Sequence, residues 1–403
     1  MADQLKVLFA GLGSIGQRHV RNLRMLLGDK VEILAYRAKH QSPLLNADMT
    51  VHAGSDLETS YGIRSFERLE NALDEKPDAV FVTNPNSFHL AVALAAAEQG
   101  CHLFIEKPIS HTLQGVDRLV EIVERKKLAA LVGYQFRFHP GLRLIKSILE
   151  EGRLGRLIGA HIVNGEYLPA WHPYEDYRNT HPAQRDLGGG CLSIQTHELD
   201  YARWLLGMPR KVYAVGGHLS GLDVDVEDSV SILMECESEG RSLPVHVHLD
   251  YLQQPPQRIC EVYGDGGKVR YDYYANVLQI HQTATGKEEF HRFDSFERNQ
   301  MFIDELKHFL ACIRGEERPL VDLREGQLSM LIAQAASESL KTGTAIRVTH
   351  GSSNTCFNTC ARRLQRCAAQ KCHDAGRQAH DCLFHFAGAG LATDQSRRCL
   401  HGR

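Results

Sequence analysis

Residues 5–16, Leu-Lys-Val-Leu-Phe-Ala-Gly-Leu-Gly-Ser-Ile-Gly, decide the fold. Leu5–Ala10 is a short apolar run that stops at glycine, which reads as a buried strand. Ile15–Leu27 then takes up helical periodicity. A Gly-x-Gly-x-x-Gly triplet between strand and helix predicts a turn that cradles a pyrophosphate. Gly11 allows the tight turn, Gly13 lets backbone N–H groups approach the phosphates, and Gly16 allows close helix–strand packing. Ser14 and Ile15 open the helix, whose N-terminus adds partial positive charge.

Outward from this turn, strand-like and helix-like segments alternate. Val31–Tyr36, Ala79–Thr83 and His102–Ile105 read as strands; Phe66–Leu73, Ser87–Gln99 and Leu113–Lys127 read as helices. Such alternation implies βαβ units and a parallel sheet. The pattern changes after about Leu131. Leu157–Asn164, Lys211–His218, Ser229–Glu235, Leu243–Tyr251, Arg258–Tyr263, Gly267–Tyr273 and Asn276–His281 are strand-like. Several are joined by turns too short for a crossover helix, so this second sheet is expected to be largely antiparallel. Helices are expected at Gly141–Glu150, Leu192–Leu206, Phe302–Arg314 and Gly326–Lys341. The fold class is thus α/β: a parallel, dinucleotide-type sheet over residues 1–130, then an α+β domain over 131–348.

Composition fits this. The chain has 403 residues, 43% hydrophobic and 24% charged, which excludes disordered, fibrous and collagen-like classes. A net charge of −3 gives no basic field for nucleic acid. No run approaches the ~18 apolar residues of a membrane span. The segment after Met1 has no apolar stretch of signal length, and Cys101, Cys191, Cys236, Cys260 and Cys312 are scattered, so a cytoplasmic location is expected. Residues 351–403 differ: they hold six of the 11 Cys and a charge of +5, against −8 for the body. Their Cys and His lack the pairing of a zinc site, so 349–403 reads as a disordered or unrelated extension.

Three segments carry candidate chemistry at the carboxyl ends of the predicted strands, where ligands of such sheets bind. Tyr36-Arg37 stand where an NAD site usually has its acidic residue. Arg37 could pair with a 2′-phosphate and Tyr36 flank the adenine, which leans the reading to NADP over NAD. Thr83-Asn84-Pro85 follow one strand and could border the cofactor. Glu106-Lys107-Pro108 follow another, and a lysine there could bind or move a hydroxyl proton. Gly188–Gly190 open a predicted helix with His197, Asp200, Tyr201 and Trp204 on one face. His246 and His248 share a strand face but are read as partnered or solvent-facing; no metal is expected.

Taken together, GLGSIGQRH from Gly11, TNPNSFH from Thr83, EKP from Glu106, GYQFRFHPG from Gly133 and GGGCLSIQTHELDYARWLLG from Gly188 resemble the Gfo/Idh/MocA oxidoreductases. DLREGQLSMLIAQAASESLKTG from Asp322 fits that family's terminal helix. The resemblance implies a Rossmann domain followed by an open, mainly antiparallel sheet that makes a homo-oligomer interface. It implies NAD(P)-dependent hydride transfer at a hydroxyl or keto carbon of a sugar, inositol or sugar nucleotide. Lys107 and His197 carry over as the catalytic pair. The matched segments also place His89, Glu106, Lys107 and Arg137 beside the cofactor. Tyr167, Trp171, Arg178 and Arg185 are expected around the substrate, with Lys107 and His197. Many members have an aspartate four residues before the histidine; here it is Ser193, so the carboxylate is missing. Two alternatives share this fold: a glycoside hydrolase using transient oxidation, and a non-catalytic dinucleotide sensor.

Overall fold

A computed structural model describes residues 4–38, 42–54 and 56–349. The expectation for the Cys-rich extension lies outside these residues.

The first sheet has six strands: β1 (Leu5–Ala10), β2 (Val31–Tyr36), β3 (Ile63–Phe66), β4 (Ala79–Val82), β5 (His102–Glu106) and β6 (Ala130–Gly133). Their order is β3-β2-β1-β4-β5-β6, and every pairing is parallel. The order reverses between β1 and β4, which opens a crevice beyond their carboxyl ends. The central strands are buried on both faces and so read as continuous apolar runs. The connecting helices are α1 (Ser14–Leu27), α2 (Leu57–Tyr61), α3 (Leu69–Leu73), α4 (His89–Glu98) and α5 (Val116–Lys126).

One expectation fails here. Phe66–Leu73 is not one helix: Phe66 ends β3, and only Leu69–Leu73 is helical. β3 is a four-residue edge strand whose Arg64 and Ser65 hide it from a hydrophobicity reading.

After α6 (Pro140–Glu150) comes the second sheet. Its first strand is β7 (Leu157–Gly165), followed by α7 (Cys191–Ile194) and α8 (His197–Leu206). Then come β8 (Lys211–Gly217), β9 (Ser229–Ser238), β10 (Arg241–Asp250), β11 (Gln257–Gly264), β12 (Gly267–Asp272), β13 (Val277–Gln282) and β14 (Glu288–Arg292). α9 (Arg298–Ile313), α10 (Leu323–Thr342) and β15 (Ile346–Arg347) complete the described chain. The order is β14-β13-β12-β11-β7-β10-β9-β8-β15, antiparallel except for β7 against β10.

Register separates the two faces of this sheet. Ala214, Ile232, Val247, Ile162, Cys260, Tyr271 and Leu278 form one cross-strand row, and all are buried in the core. The neighbouring row runs Tyr213, Leu233, His246, His161, Glu261, Arg270, Gln279 and Phe290 on the other face. Tyr213, Leu233 and Phe290 are exposed there, and the His161 and His246 rings stack at 4.9 Å. His248 hydrogen-bonds Ser231 and Asp250. No group of three or more His, Cys, Asp or Glu among the described residues could hold a metal.

α9 returns to the first sheet. Its Leu306, Phe309 and Leu310 join the core of Val7, Phe9, Phe81 and Phe104, with Phe309 edge-on to both Phe81 and Phe104. No helix among the described residues is long and apolar enough to cross a membrane.

Candidate active site

The glycine turn follows β1 at the switch point. Gly11 has φ +102°, and a Cβ there would lie 2.9 Å from the Asn84 nitrogen. A Cβ on Gly16 would lie 2.5 Å from the Gly11 carbonyl oxygen. Both positions therefore exclude side chains for the packing of the turn. Gly13 differs: a Cβ there would meet nothing within 4 Å, so the turn's outer face is open. Gly13 caps α1, and Gln17 N–H is the first to return to its carbonyl. The N–H groups of Ser14, Ile15 and Gly16 are left for an acceptor from outside the helix. This cradle fits a dinucleotide pyrophosphate.

The loop after β4 closes the turn. Thr83 Oγ1 donates to the Gly11 carbonyl at 2.6 Å. Pro85 leads into the turn Asn86–Phe88, and the Asn84 side-chain oxygen is buried without a partner. His89 is held between two backbone carbonyls. It is 1% exposed, and its two ring nitrogens lie 2.8 Å from the Pro108 carbonyl and 2.7 Å from the Asn84 carbonyl. It ties the β4 loop to the β5 loop.

Arg37 follows β2 as expected but is buried, and its guanidinium pairs with the Glu58 carboxylate. A 2′-phosphate would have to compete with that carboxylate. Tyr36 offers its carbonyl to Gly11 N–H and packs against the sheet core.

Glu106 ends β5 and is buried; its Oε1 lies 2.8 Å from His19 Nε2. The next residue, Lys107, turns the other way. Its Nζ donates to the Ile194 carbonyl at 2.7 Å. Burial pulls its pKa below the usual lysine value, against Glu106, Glu198 and Glu166, which pull upward. The amine is thus moved toward the range of a working base.

The histidine helix differs from expectation in one respect. Leu192–Leu206 is not continuous: it breaks at Gln195-Thr196, and α8 starts at His197. The break exposes the Ile194 carbonyl to Lys107 and sets His197 at the start of a new helix. His197 Nε2 lies 3.3 Å from the Gln135 side-chain nitrogen, and the ring packs on Phe136 and Tyr134. Burial, then the charges of Lys107, Arg258 and Arg298, drive its pKa well below the usual value. At neutral pH this imidazole is uncharged, with one N–H and one lone pair to offer. Among the described residues, Gln135 Oε1, Gln195 Oε1 and His197 Nδ1 are buried around His197 without a hydrogen-bond partner. Such a cluster marks a place built for a ligand or ordered water.

Arg137 is committed to an ion-pair network. It is 2% exposed and holds Asp200 through two bonds of 2.8 Å, with Glu325 at 3.1 Å. Asp200 also accepts from Ser329, so it is spent on structure and does not assist His197. Arg178 pairs with Asp176; the Arg185 guanidinium donates to the Asp225 carbonyl, and both arginines are at exposed positions. Tyr167 and Trp171 pack against the second core, with Trp171 edge-on to Tyr251.

Sequence reading missed Arg258, Glu198 and Glu166. Arg258 opens β11; its Nε donates to Glu198 Oε1 at 2.9 Å and its guanidinium lies 4.5 Å from the Phe136 ring. No motif marks Arg258 or Glu166, and Glu198 lies inside the helix motif without a sign of its role. The pairing of β7 with β11 brings Arg258 to the end of β7, and Glu198 reaches it from α8.

Comparison with known proteins follows the same division. The chain is 26% identical over 354 residues to the myo-inositol 2-dehydrogenase of Thermotoga maritima, covering 85% of this chain and 98% of that protein. It is 24% identical to the D-xylose 1-dehydrogenase [NADP(+)] of Haloarcula marismortui, covering 73% and 81%. The WlbA dehydrogenase of Bordetella pertussis, solved with NADH and UDP-GlcNAcA, superposes with a TM-score of 0.68 at 21% identity, covering 86% of this chain and 100% of that one. Residues 5–134 match the oxidoreductase family with an NAD-binding Rossmann fold, and residues 142–270 match the C-terminal domain of the same family. The chain belongs to the Gfo/Idh/MocA family of oxidoreductases.

Proposed function

We propose that this oxidoreductase moves a hydride between NAD(P) and a hydroxyl or keto carbon of a sugar, inositol or sugar nucleotide, with Lys107 and His197 handling the hydroxyl proton. The observation that carries this is the meeting of Lys107 with the 194–197 break, in a chain whose glycine turn leaves N–H groups at the start of α1 for phosphates. The dehydrogenases of myo-inositol and D-xylose among its relatives support the substrate class.

A bound nicotinamide supplies the hydride acceptor. The Lys107 amine, kept toward its neutral form by burial and fixed by Ile194, takes the carbinol proton. The uncharged His197 ring orients the same hydroxyl by hydrogen bonding. The Arg37–Glu58 pair leads us to expect NADH to bind at least as tightly as NADPH.

The test is a fluorescence titration with NADH and NADPH, followed by NAD(P)+ reduction on myo-inositol, scyllo-inositol, D-xylose and a uronic acid. Net NADH or NADPH formation with one of them is expected. Cofactor binding without turnover of any would favour the sensor, and cofactor retention without net reduction would favour transient oxidation.

We also propose that a second copy of this chain covers the outer face of the second sheet, where Tyr213, Val215 and Leu233 are exposed together on β8 and β9. Apolar residues grouped on an uncovered sheet face mark a contact surface. Light scattering is expected to give a mass of two or more chains. Leu233→Lys should lower it toward one, and a monomer in the parent protein would end this proposal.

A further inference from the structure

The family resemblance leaves a gap: Ser193 and Ile194 stand where a carboxylate is expected. A sugar or inositol presents several hydroxyls, and an ionised carboxylate is a strong acceptor for them. The structure contains several carboxylates near Lys107, and their partners separate them.

Glu106 is bound by His19. Asp200 is held by Arg137 and Ser329. Glu198 is fully buried, with Oε1 on Arg258 and Oε2 on Asn164. Asp250 accepts from Leu252 and Gln253 N–H and from His248 and the Gln253 side chain. Glu166 is different. Its Oε1 accepts from Tyr274 at 2.5 Å and lies 3.5 Å from Arg258. Its Oε2 has no protein partner among the described residues, while the side chain is 22% exposed.

Hydrogen bonds to one carbonyl tie Glu166 to the segment that holds Lys107. Glu166 N–H donates to the Asp250 carbonyl at 3.2 Å, and Gln195 Nε2 donates to the same oxygen at 2.9 Å. Gln195 follows Ile194, whose carbonyl holds the Lys107 amine. Glu166 is thus linked through the Asp250 carbonyl to Gln195, next to the residue that anchors Lys107. The charges of Glu166 and Lys107 act on each other, and Arg258 is the first cause that holds the Glu166 carboxyl below its usual pKa despite burial.

We propose that Glu166 supplies the missing carboxylate: its Oε2 accepts a substrate hydroxyl next to the reacting carbon and so selects the polyol and its orientation. Tyr274 and Arg258 hold the other oxygen, which fixes the carboxylate plane. The inference rests on the dehydrogenase reading above.

The test uses the full chain and the substrate that the panel yields. Glu166→Gln is expected to lower kcat/KM by roughly 10- to 100-fold, mostly through KM, because one charge-assisted hydrogen bond is lost. NADH affinity should stay at the parent value. An analogue lacking the neighbouring hydroxyl should lose as much with the parent protein and nothing further with the variant. If E166Q does not fold, Tyr274→Phe at a half-exposed position keeps the carboxylate but loosens it, and a several-fold rise in KM is expected. A parent that turns over no polyol would end the dehydrogenase reading and this inference with it. A parent that turns over, with E166Q or, failing that, Y274F unchanged in kcat/KM, would overturn the role of Glu166 alone.

Discussion

Lys107→Met is expected to lower kcat by roughly 10²- to 10⁴-fold, the usual contribution of a positioned acid or base, and to make stability less dependent on pH. The variant keeps the length of the side chain and removes only the amine. Burial depresses the Lys107 pKa in the folded protein. The unfolded chain therefore takes up a proton at a higher pH than the folded one. Stability in the parent protein falls as pH drops below the ordinary lysine value, and methionine removes that loss. Urea midpoints at about pH 6 and about pH 9 test the sign: the parent should gain more stability than the variant as the pH rises. The same depressed amine predicts that the parent's alcohol oxidation rises with pH below the normal lysine range. Turnover at the parent rate in Lys107→Met would remove the residue from the mechanism.

The second large effect is on stability. Arg137→Ala is expected to cost about 3–5 kcal/mol, as loss of one partner from a buried pair does. The Asp200 carboxylate, 1% exposed, would keep only Ser329 and a distant Arg203 at 3.8 Å. Asp200 lies one turn beyond His197 on α8, and Glu325 brings α10 into the same network through Arg137 and Arg203. Chemical denaturation measures the loss. Arg137→Lys should recover only part of it, since an ammonium cannot make both parallel bonds to Asp200. A variant as stable as the parent would mean that the helix carrying His197 is held by packing alone.

These two residues show what sequence can convey. The glycine turn, the strand ends at Thr83 and Glu106, and His197 on a helix were all legible, because local backbone chemistry leaves local patterns. Arg137 was legible as part of a motif, but its partner was not: Asp200 reaches it only through tertiary packing. Arg37 shows the same limit. Its position beyond β2 follows from the sequence, while Glu58 comes from a short helix that no periodicity announces. The helix break at Gln195 left no glycine or proline as a sign. It is stabilised by contacts from elsewhere, the Gln195 amide on Asp250 and the Lys107 amine on Ile194.

The return of α9 to the first sheet has a consequence for how this chain is made. Phe81 and Phe104 stack in that sheet, and Phe309 closes over both rings. During synthesis the cofactor-binding half leaves the ribosome long before the residues that seal it. Until α9 arrives, an aromatic surface stays open to water, to chaperones and to other nascent chains. The two sheets are therefore separate in architecture but not in biogenesis. A ribosome stalled before Arg298 would carry a half-finished core, whatever the completeness of its glycine turn.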